Sequence, residues 1–263
     1  MDCSLIITTY NWPEALELVL TTAVQQSIQP DEIIIADDGS TKNTEILVNS
    51  FSDKTTIPIV HSWQEDDGFR LSKSRNLAIS KSSCEYVIVI DGDMLLHRDF
   101  IKDHKKCAKK GVYIQGSRAL LQPEFSKNIL ETRKIKWPSF FSDDVKNKLN
   151  TLRIPFLSTI FCRQNNQNTS RIRGCNFSLF KKDIIKINGF NEEFVTWGKE
   201  DSEFVQRLFN VGMYRKNLKF SALQYHLYHK EGKANDNNIS ILNNTIKNNL
   251  TWCKHGIDQY LEY

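Results

Sequence analysis

The chain has 263 residues, of which 40% are hydrophobic and 25% charged, enough for a sizeable buried core and unlike a disordered or fibrous composition. With 35 Lys and Arg against 31 Asp and Glu, the formal charge is +4, too small an excess to indicate a nucleic-acid partner. No apolar run approaches the roughly 18 residues of a membrane span, and the opening MDCSLIITTY has neither a basic n-region nor an apolar h-region, so a cytoplasmic protein is expected.

The first hundred residues alternate. Cys3–Thr8 is a β-rich run, Pro13–Gln26 has helical spacing through Ala15, Leu18, Val19 and Thr22, and Glu32–Ala36 is a second buried run ending at Asp37-Asp38-Gly39-Ser40. A helix is expected over 41–51, a strand over 58–62, a helix over 71–80 and a strand over 86–90 that stops at Asp91-Gly92-Asp93. Near-continuous apolar strands alternating with helices predict a mainly parallel sheet covered on both faces. The six cysteines, Cys3, Cys84, Cys107, Cys162, Cys175 and Cys253, form no CxxC pair, so they read as small core residues rather than a zinc cage or a disulfide framework.

Ligands of such sheets bind outside the carboxyl ends of the strands. Three of those ends are polar: Thr8-Thr9-Tyr10-Asn11, Asp37-Asp38-Gly39-Ser40 and Asp91-Gly92-Asp93. Taken alone, the second is an ordinary turn and helix cap. The third places two carboxylates around a glycine after a buried strand, which suits a hard divalent cation with room for phosphate oxygens. Neither GxxxxGK[ST] nor a helix-opening GxGxxG is present, which argues against an ATPase and a dinucleotide enzyme. Further along, Glu200 and Asp201 open an amphipathic helix through Phe204, Val205, Leu208 and Phe209, where the helix dipole favours acids.

Several blocks in order carry a resemblance: SLIITTYNWP, IIIADDGST, QEDDGFRLSKSRNLAI and YVIVIDGDM, followed by RGCNFSLFKKD, NGFNEEF and TWGKEDSEFVQRL. The first four resemble glycosyltransferase family 2 with its GT-A nucleotide-sugar fold. The last three resemble the acceptor half of β-1,4-galactosyltransferases and bacterial chondroitin-type polymerases.

The resemblance implies roles residue by residue. Thr8, Tyr10 and Asp38 would hold uridine, a tyrosine ring and a carboxylate being suited to stack on uracil and accept from its N–H. Asp67 and Arg75 would contact ribose and diphosphate, with Asp91 as ribose or outer metal contact. Asp93 would be the direct metal ligand, joined by His226, the first choice, or His229. An imidazole among carboxylates favours Mn²⁺, with Mg²⁺ as the alternative. Asp201 would be the catalytic base with Glu200 orienting, and Trp197 with Gly198 would meet the acceptor sugar. Lys199 departs from the small residue common after Trp-Gly in the galactosyltransferases, so their donor and acceptor preferences do not transfer directly. Gly174 and Cys175-Asn176 would lie against the donor sugar.

The stretch from about 119 to 171 mixes basic and apolar residues, as in Lys134-Ile135-Lys136-Trp137, and reads as an acceptor lid, a peripheral membrane contact or a packed insertion. In the tail, Ile239, Leu242, Ile246 and Leu250 are spaced along one helical face, for packing on the domain or for dimerisation.

The expectation is an α/β single domain of the GT-A type. A nucleotide-sugar half spans 1–115, an acceptor and base half 116–232, and a helical tail 233–263. The implied function is inverting, metal-dependent transfer of a hexose or N-acetylhexosamine from a UDP-sugar to a bacterial surface glycan precursor. Galactose or N-acetylgalactosamine is the first donor expected, with the enzyme at the inner face of the membrane. The rival readings are a nucleotidyltransferase and a non-catalytic glycan-binding relative.

Overall fold

A computed structural model describes residues 1–262 apart from 162, 163, 168, 170, 231, 233 and 234. The amino-terminal part runs β1 (Cys3–Thr9), α1 (Pro13–Val24), β2 (Glu32–Asp37), α2 (Lys42–Ser52), β3 (Ile59–Trp63), α3 (Leu71–Lys81) and β4 (Tyr86–Asp91). All seven lie within two residues of the sequence expectation. Proline at the first position of α1 lacks only an N–H that would have no partner there. Strands β1 and β2 are buried along their whole length, as parallel strands covered on both faces must be.

The next stretch contains β5 (Met94–Leu96), α4 (Phe100–Cys107), β6 (Val112–Gln115), β7 (Ala119–Leu120), α5 (Pro123–Thr132), α6 (Pro155–Phe161) and β8 (Gln164–Asn166). It is followed by β9 (Asn176–Phe180), α7 (Lys181–Lys186), α8 (Glu200–Asn210), β10 (Tyr214–Asn217), β11 (Gln224–His226) and α9 (Asp236–Lys247). A sheet in the order β3-β2-β1-β4-β9-β6-β10-β8 forms the centre, and a small sheet β5-β11-β7 stands beside it. The strands β3, β2, β1 and β4 are parallel, whereas β9 runs antiparallel between β4 and β6. The second half is therefore fused to the same sheet.

Strand alternation feeds two cores. Leu5, Ile7, Ile33, Ile35, Ile88 and Ile90 face one cluster, shared with Leu16 and Val19 of α1. Ile6, Ile34, Val87 and Val89 face the other, shared with Phe177, Phe204 and Leu208. Each such fully buried side chain contributes about 1.5–3 kcal/mol. Cys3, Cys84, Cys175 and Cys253 are buried within the fold, and Cys162 lies outside the described residues.

The tail packs on the domain, one of its two expected uses. Ile239 and Ile246 are exposed, and α9 is held through buried Asn238, which bonds the loop at 196–198, and buried Thr245, which donates to Glu203 of α8 at 3.0 Å. Past α9 the chain returns to the second core, where Ile257 is fully buried. No helix among the described residues is long and apolar enough to cross a membrane.

Candidate active site

Sheet register sets the site. In β1, Thr8 pairs with Asp91 on one side and Ala36 on the other, while Thr9 pairs with Asp37, so three polar strand ends meet at one edge. Asp37 closes its turn: Oδ1 accepts from the Ser40 N–H at 2.8 Å, and Oδ2 lies 2.8 Å from His61 Nε2. Asp38 is thereby left to face the edge, where it accepts from the Arg70 N–H at 2.9 Å and from Gln64 Nε2 at 2.5 Å. Burial pushes its carboxyl up to about 6 against the pull of those two hydrogen bonds. A cavity of about 490 Å³ opens here, lined by Thr8, Tyr10, Asp38, Asp91, Asp93 and His229 among others. The Tyr10 ring is half exposed, its hydroxyl donating to Asp66 at 3.0 Å, which leaves the ring face available to a planar base.

At Gly92 a Cβ would stand 2.5 Å from the Thr8 carbonyl oxygen, so only glycine fits between the two acids. The chain then turns into β5, whose antiparallel pairing sets Met94 opposite His226. This brings Asp93 against residues more than a hundred positions later. Asp93 Oδ2 lies 3.1 Å from His226 Nε2 and 3.0 Å from His229 Nε2, and the two imidazole nitrogens are 3.1 Å apart.

Neighbouring positions around an octahedral ion with bonds of about 2.1 Å stand about 3.0 Å apart, so the three atoms match one face of such a shell. Asp93 Oδ1 is buried with no partner, as an oxygen awaiting a cation would be. Burial alone would raise the Asp93 carboxyl, but hydrogen bonds from both histidines outweigh it and hold the group well below the usual range. The hydrogen bond to Asp93 raises His229 to about 9. Without an ion the cluster thus retains a proton that a divalent cation would displace. One carboxylate and two imidazoles fit such a cation, and the nitrogen donors suit Mn²⁺ better than Mg²⁺.

Across the shared wall, Gly198 and Lys199 have φ of 97° and 77°, a double left-handed step that turns the chain into α8. Glu200 and Asp201 open the helix, where its dipole favours anions. Beneath them lies Arg75, 1% exposed, with Nη2 3.1 Å from Asp91 Oδ1 and Nη1 3.6 Å from Glu200 Oε1. Its guanidinium also sits 5.1 Å from the Phe190 ring centre. Burial first, and the charge of Asp201 second, push Glu200 up to about 7, with Arg75 acting in the opposite sense. Asp201 is raised as well, again by burial, although its Oδ1 accepts from the Ser202 N–H at 2.6 Å. A second cavity of about 320 Å³ runs over this pair and is lined by Trp197, Gly198, Glu200 and Asp201. Asp91 and His229 line both cavities.

Some expected residues sit elsewhere. Asp67 is exposed, paired with Arg70 at 2.8 Å, and lines neither cavity. Arg75 faces the acid pair rather than the first cavity, because its guanidinium is held by Asp91 and Glu200. Asp91 stands apart from the metal-type cluster and instead accepts from Thr8 at 3.0 Å and from Arg75. Asn176 is buried against His104 and the carbonyls of Ser117 and Ala222, so it packs the fold. Gly174 does adjoin the second cavity, where a Cβ would come within 3.1 Å of the Arg75 guanidinium. Sequence reasoning missed Gln64 and Trp12. Gln64 follows the end of β3, a strand end that the edge rule already points to, while Trp12 packs edge-on to His229 at 6.1 Å and had no signal of its own.

Two family descriptions match the chain: glycosyl transferase family 2 over residues 4–186, and the N-terminal domain of galactosyltransferase over residues 161–230. Chondroitin synthase of Escherichia coli is 30% identical over 89% of this chain, which spans 35% of that protein's length. Among solved structures, S. aureus TarS 1–349 in complex with UDP-GlcNAc superimposes with a TM-score of 0.64 at 14% identity, covering 99% of this chain and 69% of that one. The mannosyltransferase PcManGT from Pyrobaculum calidifontis, in complex with GDP-Man and Mn²⁺, gives 0.57 at 18% identity over 88% of this chain and 58% of that one. These two likenesses establish the GT-A architecture. Since the first family description covers more than half of its residues, the chain belongs to glycosyl transferase family 2.

Proposed function

We propose that the protein transfers a hexose or N-acetylhexosamine from a UDP-sugar to a hydroxyl of a bacterial surface glycan, inverting the anomeric centre to give a β-linkage. The observation that carries this reading is the shared wall: Asp91 and His229 line both the cavity with the uridine-type residues and the cavity with the acid pair. A donor in the first would present its sugar to an acceptor in the second. The chondroitin synthase relative and the TarS neighbour with UDP-GlcNAc support a uridine donor and a bacterial glycan acceptor. UDP-galactose and UDP-N-acetylgalactosamine are the donors to test first, then the gluco counterparts.

In this reading Tyr10 stacks on uracil and Asp38 accepts its N–H. Asp201 takes the proton of the acceptor hydroxyl while Glu200 orients it, and Trp197 offers a flat face to the acceptor ring. The hydroxyl oxygen attacks the anomeric carbon from the face opposite the nucleotide, and the bond to the diphosphate breaks with its electrons leaving on UDP. A divalent ion held by Asp93, His226 and His229 would supply positive charge to that leaving group. Arg75 acts through others here, holding Asp91 and Glu200 in place.

The same reading sets the enzyme on the cytoplasmic face of the membrane. Phe141 and Phe156 are 86% and 74% exposed in a segment that also carries exposed Lys134 and Lys136, a mixture that an anionic lipid surface accepts.

The test is UDP release from a panel of UDP-sugars with Mn²⁺, with and without chelator, alongside titration of UDP itself. Hydrolysis or transfer of one donor, stopped by chelator, is the expected result. Failure of UDP to bind in the presence of Mn²⁺ would overturn the assignment.

A further inference from the structure

A third cavity, of about 460 Å³, lies beside the acid pair and has no part in the chemistry described above. Gln115 at the end of β6, Arg215 in β10, Asn217 and Lys219 at and beyond its end, and Arg171 and Arg173 ahead of β9 line it. Its volume falls within the roughly 300–1,000 Å³ of small-ligand pockets. Four of these residues are cations, and no acid among the described residues lines the cavity. Among the described residues, Arg171, Arg173 and Lys219 have no ion-pair partner. Like charges gathered around one cavity repel, and an anion relieves that repulsion.

A second observation concerns a side chain that lines the same space. Gln115 is only 8% exposed, and its Nε2 donates to the Arg171 carbonyl at 3.0 Å, which fixes the orientation of the amide. That leaves Oε1 buried with no donor. A buried amide oxygen without a partner costs free energy that a ligand hydroxyl would recover. Arg173 lines both this cavity and the one over Glu200 and Asp201, so the two adjoin at that side chain.

We infer that this cavity binds an acidic group, carboxylate or phosphate, carried by a unit of the acceptor glycan other than the one that is glycosylated. The inference rests on the proposed function, since it names the acceptor class for the same site. Guanidinium forks match both oxyanions, and Gln115 Oε1 accepts a hydroxyl of the same unit. A neutral glycan would leave Arg171, Arg173 and Lys219 unmatched, so the cavity selects for charge.

Matched acceptor probes test it by calorimetry on the full chain. One pair is an oligosaccharide of alternating uronic acid and N-acetylhexosamine and its carboxyl-reduced counterpart. The other is a ribitol phosphate oligomer and a neutral oligosaccharide of equal length. We expect one acidic probe to bind at least about tenfold more tightly than its neutral partner, as one or two charge-assisted hydrogen bonds would give. Whether the uronate or the phosphate probe shows the preference identifies the group. Arg171→Ala combined with Lys219→Ala, both exposed and outside the packed core, should abolish the preference while UDP affinity with Mn²⁺ is unchanged. Equal affinity within both pairs, or a preference that survives the double substitution, overturns the inference. Loss of UDP binding by the unsubstituted protein would instead overturn the proposed function, so the two failures are distinct.

Discussion

The side-chain amide of Asn238 donates to the Gly198 carbonyl at 2.7 Å, tying helix α9 to the loop that delivers the acid pair. The same nitrogen lies 2.9 Å from the Thr196 carbonyl and 3.3 Å from that of Trp197, and the Asn235 side chain caps the helix at the Asn238 N–H. A left-handed backbone at Lys199 costs about 1–2 kcal/mol for a residue with a Cβ, so the turn needs outside support. We expect Asn238→Leu to lower kcat by tenfold or more with UDP affinity unchanged, and to cost about 1–3 kcal/mol in stability for the carbonyls left unpaired. Steady-state kinetics beside UDP titration checks this. Unchanged kcat in a folded variant would reduce Asn238 to a packing role.

The Asp93, His226 and His229 cluster makes a prediction that needs no substrate. A ligand that binds only the folded state at a hundred times its Kd stabilises by about 2.7 kcal/mol. Mn²⁺ should therefore raise the Tm of the protein, and chelator should reverse the rise. His226→Ala should remove most of the shift, since it deletes one of three donors from a buried position. An equal Mn²⁺ response in protein and variant would separate metal binding from this cluster.

The first half of the fold was legible because β1, β2 and β4 are buried on both faces and its turns carry Gly, Asp and Pro where the chain reverses. Thr8, Asp38 and Asp91 could be placed at one edge from the strand-end rule alone. The pairing of Asp93 with His226 rested on resemblance, because only the β5–β11 register joins them and β5 is three residues long. At Asp37-Asp38 a plain turn and a site both apply: the first acid closes the turn and the second faces the cavity. The tail left two uses open, packing on the domain or dimerisation, because the apolar stripe through Ile239 and Ile246 carries no signal of the hydrogen bonds from Asn238 and Thr245 by which α9 docks. Arg75 shows the same limit: its sequence neighbours mark a helix, and nothing in them reveals that the guanidinium is buried between two acids.

Removing that guanidinium should be severe. Arg75 is the cation that Asp91 and Glu200 share, and breaking a buried ion pair by deleting one partner costs about 3–5 kcal/mol. Arg75→Met should lower stability by an amount in this range in chemical denaturation, with activity lost. The double variant Arg75→Met with Glu200→Gln should regain part of the stability, because one of the stranded charges is gone. If the single variant is as stable as the unsubstituted protein, the ion pair to Asp91 and Glu200 contributes nothing and the positioning role fails.

The acid pair predicts opposite pH responses in stability and in activity. Burial lifts Glu200 from an ordinary carboxyl value of 4.5 to about 7, and Asp201 is raised alongside it. Between those two values the folded state holds a proton that the unfolded state has released, so stability is highest at the acid end of the window and falls as pH rises through it. Catalysis needs Asp201 ionised to accept the hydroxyl proton, and its carboxyl is raised by burial, so kcat/KM should climb with pH as the pair ionises. The two carboxyls titrate as a pair, and the limb belongs to both. The charge of Asp201 raises Glu200, and two adjoining carboxylates each disfavour the other's ionisation, so Glu200→Gln should move the activity limb to lower pH and flatten the fall in Tm. Thermal unfolding and pH–rate profiles of the two proteins, at fixed Mn²⁺, measure both. A limb that stays in place in Glu200→Gln would mean that another group sets the acidic side of the profile, and Asp201 would lose its assignment as base.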